Sequence, residues 1–149
     1  MKTKALNEVT LEFVSRSSNE SFARSAVACF AAQLDPTLNE LEDIKTSVSE
    51  AVTNAIVHAY PEELGKVQLK VRICPGNVLE ITVRDRGRGI PDVEKARQPM
   101  FTTGGEERSG MGFTIMESFM DRLVVRSTPG RGTTVVMRKR LAPRMQGTK

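Results

Sequence analysis

The sequence predicts one domain of the α/β or α+β class, and three observations lead to this fold class. The chain has 149 residues, 39% of them hydrophobic and 27% charged, which suits one proper core and leaves little chain for a second domain. Several short segments alternate apolar and polar residues, as half-buried strands do. Other segments repeat apolar residues every three or four positions, as amphipathic helices do.

The first two elements are a strand and a helix. Apolar and polar residues alternate over residues 9–13, which predicts the strand. The helix should begin at a capping box formed by Ser17 and Glu20, and it should end before Asp35 and Pro36. Its predicted apolar face consists of Phe22, Ala26, Val27, Phe30, Ala31 and Leu34.

A second helix is predicted over residues 41–59. Its apolar stripe consists of Leu41, Ile44, Val48, Ala51, Val52, Ala55, Ile56 and Ala59. Glu50 and Asn54 lie one turn apart, nearly opposite this stripe. Such polar positions usually meet only water, but the neighbouring Val57 makes their face less polar than a solvated one. The pattern therefore leaves two interpretations open, a solvated face or a second surface that needs a carboxylate beside an amide.

The rest of the chain predicts a β-hairpin, two helices and two more strands. Pro75, Gly76 and Asn77 supply the hairpin turn, and two glycine-rich segments flank the first of these helices. In chain order the six elements span residues 67–73, 79–83, 92–97, 111–121, 123–127 and 133–138.

Composition narrows the possible partners and the compartment. The net charge is +4, but the basic residues are spread out and one Tyr and no Trp are available to stack on bases. We therefore expect an acidic protein partner and no direct nucleic-acid contact. No apolar run could cross a bilayer, and the N-terminus lacks the apolar core of a signal peptide, which predicts a cytoplasmic protein without membrane contact. Cys29 and Cys74 should be reduced structural thiols, and the single histidine argues against a zinc site.

The two glycine-rich segments are the candidates for ligand binding. In residues 85–90 (DRGRGI) the glycines allow close approach of the backbone to a ligand, and Asp85 could accept a hydrogen bond from an exocyclic amine. In residues 101–113 the amides of Gly110 and Gly112, at a helix start, could cradle an anion. An ordinary turn and a mobile loop are the simpler interpretations. Neither segment matches a Walker motif or a dinucleotide fingerprint.

The order of the motifs is more specific than any one of them. It runs Glu50-x-x-x-Asn54 on a helix, Asp85-x-Gly87-x-Gly89, Gly110-x-Gly112 at a helix start, and Gly132-Thr133-Thr134 at a strand. This order resembles the ATP-binding domain shared by gyrase, a heat-shock chaperone family, mismatch-repair MutL proteins and histidine kinases, the GHKL or Bergerat type. The resemblance covers residues 9–139. It implies an α+β fold, a two-layer α/β sandwich with a mixed, mostly antiparallel sheet and helices on one face. One domain would span residues 1–149, with a flexible tail from about residue 141.

The resemblance also implies ATP and Mg²⁺ as cofactors and gives residues their roles. Asn54 would ligate the Mg²⁺, and Glu50 would be the general base on the attacking hydroxyl. The adenine would be held by Asp85, Gly87, Gly89 and Thr134. Further contacts with the nucleotide would come from Thr102, Thr103, Arg108, Ser109, Gly110, Met111 and Gly112, with residues 98–109 as a lid and Arg108 offsetting γ-phosphate charge.

Within this family the chain resembles the anti-sigma F factors of spore-forming bacteria. The segments that carry this resemblance are residues 19–24 (NESFAR), 48–56 (VSEAVTNAI), 97–99 (RQP) and 107–117 (ERSGMGFTIME). It implies a homodimer that binds and inhibits the sporulation sigma factor sigma-F and uses ATP to phosphorylate the anti-anti-sigma factor on serine. It also implies that Arg24, which points away from the apolar stripe of its helix, belongs to the surface that meets both partners.

Two other functions stay open at this point. One is the related anti-sigma factor and serine kinase of the general stress response, the sigma-B type, which shares Glu50 and Asn54 but resembles residues 107–117 less. The other is a binding module in which ATP only sets the conformation and no phosphoryl group is transferred. Glu50 distinguishes a kinase from this binding module, because a protein that only binds needs no general base.

Overall fold

A five-stranded antiparallel sheet forms one layer of the structure. The computed structural model describes residues 4–98 and 107–143, and for residues 107–110 it describes the backbone only. The strands are β1 (Asn7–Val14), β2 (Lys66–Cys74), β3 (Val78–Asp85), β4 (Arg122–Thr128) and β5 (Gly132–Arg140). Their order is β1-β2-β3-β5-β4, and each of the four pairings is antiparallel. The predicted hairpin and both C-terminal strands are confirmed.

Helices on one face of the sheet form the second layer. They are α1 (Asn19–Ala31), α2 (Leu38–Thr53), α3 (Val93–Ala96) and α4 (Glu107–Phe119). α2 packs between α1 and α4. Its inner face and alternate residues of the strands join in one hydrophobic core, with Ile44, Val48, Leu69 and Ile81 fully buried. The predicted two-layer α+β sandwich is confirmed.

The first two helices begin differently from the prediction. The predicted capping box at Ser17 and Glu20 is wrong, because Ser18 is the N-cap of α1 and makes no side-chain capping bond. The Glu20 carboxylate instead accepts a hydrogen bond from the Ser49 hydroxyl on α2. A capping box does occur at α2, where the Thr37 side chain accepts from the Glu40 amide at 3.0 Å and Glu40 accepts from the Thr37 amide at 2.9 Å.

The apolar face of α1 is also rotated from the predicted one. Ala23, Val27 and Ala31 are buried, whereas Phe22 is 53% exposed. Small residues let α1 lie close to α2, and Phe22 on the neighbouring position then faces outward. Cys29 on the same helix is exposed, which corrects its prediction as a structural thiol within an apolar context.

The two residues after β5 pack against the domain and hydrogen-bond to it. Leu141 is fully buried and donates its amide to the Asn77 carbonyl at 2.8 Å. The Ala142 amide donates to the Glu40 carboxylate at 2.8 Å. The first two residues of the predicted tail therefore pack against the domain. Within residues 4–98 and 107–143, no helix has the length and apolar character that a membrane span requires.

Candidate nucleotide-binding site

A cavity of about 590 Å³ lies between the helices and the inner faces of β3 and β5. Its walls combine apolar and polar side chains, both of which a small-molecule site needs. The lining residues are Ala51, Asn54, Ala55, His58, Ala59, Val83, Asp85, Arg88, Gly89, Ile90, Pro91, Asp92, Lys95, Ala96, Phe113, Thr133 and Val135. The cavity brings together Asn54, Asp85 and Gly89, three of the residues that the sequence predicts to bind nucleotide.

Asp85, the last residue of β3, is the buried carboxylate of this cavity. It is 7% exposed. Both of its described hydrogen bonds end on Oδ1, which accepts from the Gly87 amide at 2.9 Å and from the Thr133 amide at 3.2 Å. Burial raises the pKa of Asp85, and the two amide hydrogen bonds oppose this shift. Because both amide hydrogen bonds end on Oδ1, the other carboxylate oxygen, Oδ2, can serve as an acceptor for an amine in the cavity.

The prediction for Thr134 needs correction, because the structure places Thr133 beside Asp85. In the pairing of β3 with β5, Asp85 lies opposite Thr133, and Thr134 lies opposite Arg84. Successive side chains of a strand point to opposite faces, so Thr134 is on the outer face of the sheet. Thr133 lines the cavity together with Val135. The alternation of inward residues along β5 was the signal that could have identified it.

Ser127 on β4 was not predicted to contribute to the site. Its Oγ accepts from the Ile90 amide at 2.7 Å and lies 2.8 Å from the Thr133 Oγ1, so it joins the loop after β3 to β5. It also donates to the Gly132 carbonyl in one of its two possible orientations, at 3.1 Å. Ser127 lies on the edge strand β4 and faces the same side of the sheet as Leu123, four residues earlier. This shared face is the only feature of the sequence that could have pointed to its role.

Gly87 and Gly89 are required by contacts within the chain. A Cβ at Gly87 would lie 2.3 Å from the Ala59 carbonyl oxygen, and Gly87 does not line the cavity. Gly89 has a φ of +78°, and a Cβ there would lie 2.5 Å from the Thr128 carbonyl oxygen. The loop that carries Asp85 is therefore wedged between the end of the α2 segment and the turn after β4. Contact with a base stays a prediction for both Gly87 and Gly89, and the packing of the loop already favours glycine at each position.

At the end of the cavity opposite Asp85, the Glu50 and Asn54 side chains pack against Gly112 on α4. A Cβ added to Gly112 would lie 3.3 Å from both the Glu50 Oε1 and the Asn54 Nδ2. Both side chains are half-buried, and Asn54 lines the cavity. The carboxylate and the amide therefore face a second helix at close range, which favours the interpretation of a functional surface over that of a solvated face.

Asn54 also begins a π-helical turn (Asn54–His58) that the sequence did not indicate. The Ala59 amide donates to the Asn54 carbonyl at 3.2 Å, five residues back. Single π-turns within α-helices are rare and are frequent at functional sites. This turn ends the helix at the cavity, where the His58 carbonyl accepts from the Arg88 Nε at 2.8 Å.

The remaining predicted nucleotide contacts are only partly within the described structure. Met111 is 40% exposed at the surface of α4. α4 begins at Glu107, so Gly112 lies beyond its first turn, and the predicted position of its amide at the helix start is not observed. Thr102 and Thr103 lie outside the described residues. For Arg108, Ser109 and Gly110 only the helical backbone is described.

Arg24, the predicted partner-binding residue, is half-buried on α1 and directly follows the buried Ala23. Its side chain is 37% exposed, and its Nη1 lies 3.5 Å from the Glu20 carboxylate one turn earlier. Glu20 also accepts from Ser49, the residue before Glu50. Arg24 is therefore accessible but held by an ion pair.

Comparison with known proteins gives the class of the domain. Residues 13–139 match the family described as the histidine kinase-like ATPase domain. The RsbU and RsbW domains of Rv1364c from Mycobacterium tuberculosis superpose with a TM-score of 0.68 at 18% identity, covering 91% of this chain and 32% of that one. The histidine kinase domain of the blue-light activated kinase EL346 from Erythrobacter litoralis has a TM-score of 0.55 at 24% identity, covering 82% and 60%. These two likenesses concern the fold. The fold, the cavity and the family match define a histidine kinase-like ATPase domain.

Curated relatives narrow this class further. The anti-sigma F factor of Thermoanaerobacter sp. (strain X514) is 59% identical over 134 residues, which cover 89% of this chain and 93% of the relative. The anti-sigma F factor of Geobacillus stearothermophilus is 61% identical over 135 residues, covering 89% and 92%. The chain belongs to the anti-sigma F factor family.

Proposed function

We propose that the chain is an anti-sigma factor that inhibits sigma-F and an ATP-dependent kinase that phosphorylates the anti-anti-sigma factor on serine. The relatives are named anti-sigma F factors at about 60% identity, which supports sigma-F as the bound partner. In this proposal the protein acts in the cytoplasm as a homodimer. The observation that carries the kinase activity is that Glu50 and Asn54 converge on Gly112 at one end of the cavity that holds Asp85 at the other.

The cavity fits an adenine nucleotide. Asp85 keeps a carboxylate oxygen for the exocyclic amine of adenine, because its two amide hydrogen bonds both end on Oδ1. Val83, Val135 and Phe113 supply apolar wall for the base. GTP carries a carbonyl at the corresponding position, so an ionised Asp85 would disfavour it.

Asn54 and Glu50 fit the phosphate end. An amide oxygen is a ligand that Mg²⁺ accepts, and Mg²⁺ usually takes its other ligands from water and phosphates. Asn54 would therefore hold the metal that arrives with the nucleotide. Bound ATP would supply the γ-phosphoryl group. Glu50 would accept the proton of the substrate serine hydroxyl, which makes that oxygen a better nucleophile.

Glu50→Gln tests the kinase proposal. Glutamine is nearly isosteric but cannot take up the proton, so we expect serine phosphorylation to fall by about 10²- to 10⁴-fold. ATP affinity and sigma-F binding should stay close to the parental values. The reaction is measured with purified anti-anti-sigma factor, Mg²⁺ and labelled ATP.

Glu42→Gln is the matched control, since Glu42 lies on the exposed side of the same helix and pairs with Lys45 at 3.6 Å. It should phosphorylate at the parental rate. A parental rate in Glu50→Gln would remove Glu50 from the role of general base. If the parental chain binds ATP and sigma-F without phosphorylating the substrate, the binding module without kinase activity is the correct function.

A further inference from the structure

Arg88 lines the nucleotide cavity and is anchored at three points, although its side chain is exposed. Its amide donates to the Ala59 carbonyl at 3.0 Å, and its carbonyl accepts from the Gly130 amide at 2.8 Å. Its Nε donates to the His58 carbonyl at 2.8 Å. An exposed arginine usually samples many rotamers, whereas this one has both its backbone and the root of its guanidinium group fixed at the cavity wall.

Arg88 lies at the end of the cavity that is distant from Glu50. Glu50, Asn54 and His58 follow one another at four-residue intervals, so His58 lies roughly 12 Å along the helix from Glu50. Arg88 is bonded to His58 and follows Asp85 by three residues. The guanidinium group extends only a few ångströms beyond Nε, so it cannot reach the Glu50 end. It lies at the end where the nucleoside would bind.

We propose that the Arg88 guanidinium group covers the adenine base of the bound nucleotide. This inference rests on the proposed function, because it needs an adenine nucleotide in the cavity. A guanidinium group is planar and weakly hydrated, and it stacks on aromatic rings and on nucleic-acid bases. The hydrogen bond from Nε to the His58 carbonyl holds this plane at the cavity wall. Arg88 would thus add affinity for the base, and Asp85 would select adenine among bases.

Arg88→Met and Arg88→Lys separate the plane of the side chain from its charge. Methionine keeps an apolar stem but has neither plane nor charge, whereas lysine keeps the charge without the plane. Arg86→Met is the matched control, because Arg86 lies on the same exposed loop, two residues away, and lines a different cleft beside Tyr60 and Lys66. Affinities for adenosine, ADP and ATP are measured by competition against a fluorescent adenine nucleotide, and melting curves verify folding.

We expect Arg88→Met to weaken adenosine, ADP and ATP by the same factor, roughly tenfold. Arg88→Lys should weaken adenosine almost as much, and Arg86→Met should stay within about twofold of the parental chain. Loss of ATP affinity with unchanged adenosine affinity would overturn the inference, because Arg88 would then act on phosphate charge. Parental affinities in both Arg88 variants would overturn it as well. If the parental chain binds neither adenosine nor ATP, the proposed function itself fails, and this inference fails with it.

Discussion

The Asp85 carboxylate is held in a place that is unfavourable for its charge. Burial raises its pKa above the ordinary value of 3.8, while hydrogen bonds from the Gly87 and Thr133 amides offset part of that shift. An acid with a raised pKa in the folded state binds its proton more tightly there than in the unfolded chain. Its contribution to stability is therefore greatest at low pH and is lost as the pH rises through the folded-state pKa. Above its folded-state pKa the ionised Asp85 costs stability and in return offers a charged acceptor.

Asp85→Asn should separate these two effects. The asparagine oxygen can accept from the two amides, but its NH₂ would then face the adenine amine, so that two donors oppose each other. We expect ATP affinity to fall by about 100-fold and the preference for ATP over GTP to shrink, because buried polar groups are then left unpaired. Thermal stability at pH 7 should equal or exceed that of the parental chain. In the parental chain, ionisation of Asp85 should lower thermal stability as the pH rises above 4. Asp85→Asn should not show this part of the pH dependence.

Calorimetry with ATP and GTP, together with melting curves between pH 4 and pH 7, checks this prediction. Parental ATP affinity in Asp85→Asn would contradict the assignment of Asp85 to the base. A large loss of stability at pH 7 would contradict the sign of the electrostatic argument.

At the scale of elements, the sequence predicted each strand and helix but not how their ends are built. The alternation along β2 and β3 and the stripe of α2 follow directly from burial on one face, so they are readable from residue types. The π-turn at Asn54 depends on how α2 meets the loop after β3, which local sequence does not encode. The place of Glu20 was missed for the same reason, because its partner Ser49 is 29 residues away. The choice of Thr133 over Thr134 was readable from the register of β5, and the resemblance alone gave the wrong neighbour.

The contact between α2 and α4 sets the space around Glu50 and Asn54, the groups proposed for catalysis and metal binding. Gly112 leaves room for the Glu50 and Asn54 side chains, and a Cβ at 3.3 Å would make both give way by a few tenths of an ångström. Alanine also stabilises a helix by about 1 kcal/mol relative to glycine. We expect Gly112→Ala to be at least as stable as the parental chain and to phosphorylate about tenfold more slowly, because catalytic groups tolerate little displacement.

Ser118→Ala is the control for this change. Ser118 lies on the exposed side of α4, so alanine there changes helix propensity without touching the site. Melting curves and single-turnover phosphorylation are measured for both variants. A parental rate in Gly112→Ala would show that the fit of α4 against Glu50 and Asn54 does not matter for the reaction.

At the scale of the whole molecule, the two faces of the sheet differ in the residues that they carry. The inner face carries the core and the cavity. On the outer face Arg72 on β2 lies 2.8 Å from Glu80 on β3 and 3.5 Å from Glu8 on β1, and the hydrogen bond to Glu80 raises the Arg72 pKa. Arg138 on β5 reaches the other Glu80 oxygen at 3.6 Å. Part of the basic charge is thus paired with carboxylates within the sheet.

The proposed partner surface on α1 and the proposed catalytic end on α2 are linked by contacts between the two helices. Arg24 on α1 contacts Glu20, and Glu20 contacts Ser49, which precedes Glu50 on α2. A partner that grips Arg24 would therefore lie on the layer that holds the general base. Arg24 is well suited to this role, because its guanidinium fork can bind a carboxylate through two parallel hydrogen bonds.

Arg24→Glu should abolish detectable binding of both partners or weaken it by at least about 30-fold, since interface arginines commonly contribute about 2 kcal/mol or more. The new glutamate would lie one turn from Glu20, a like-charge pair that costs only about 0.5 kcal/mol in a helix, so the fold should persist. ATP affinity should be parental, because no part of Arg24 lines the cavity. Lys45→Glu is the control, since Lys45 is likewise paired with an acidic residue on its own helix, Glu42. Calorimetry with purified sigma-F and with the anti-anti-sigma factor decides the matter, and parental affinity of Arg24→Glu for both would place the partner surface elsewhere.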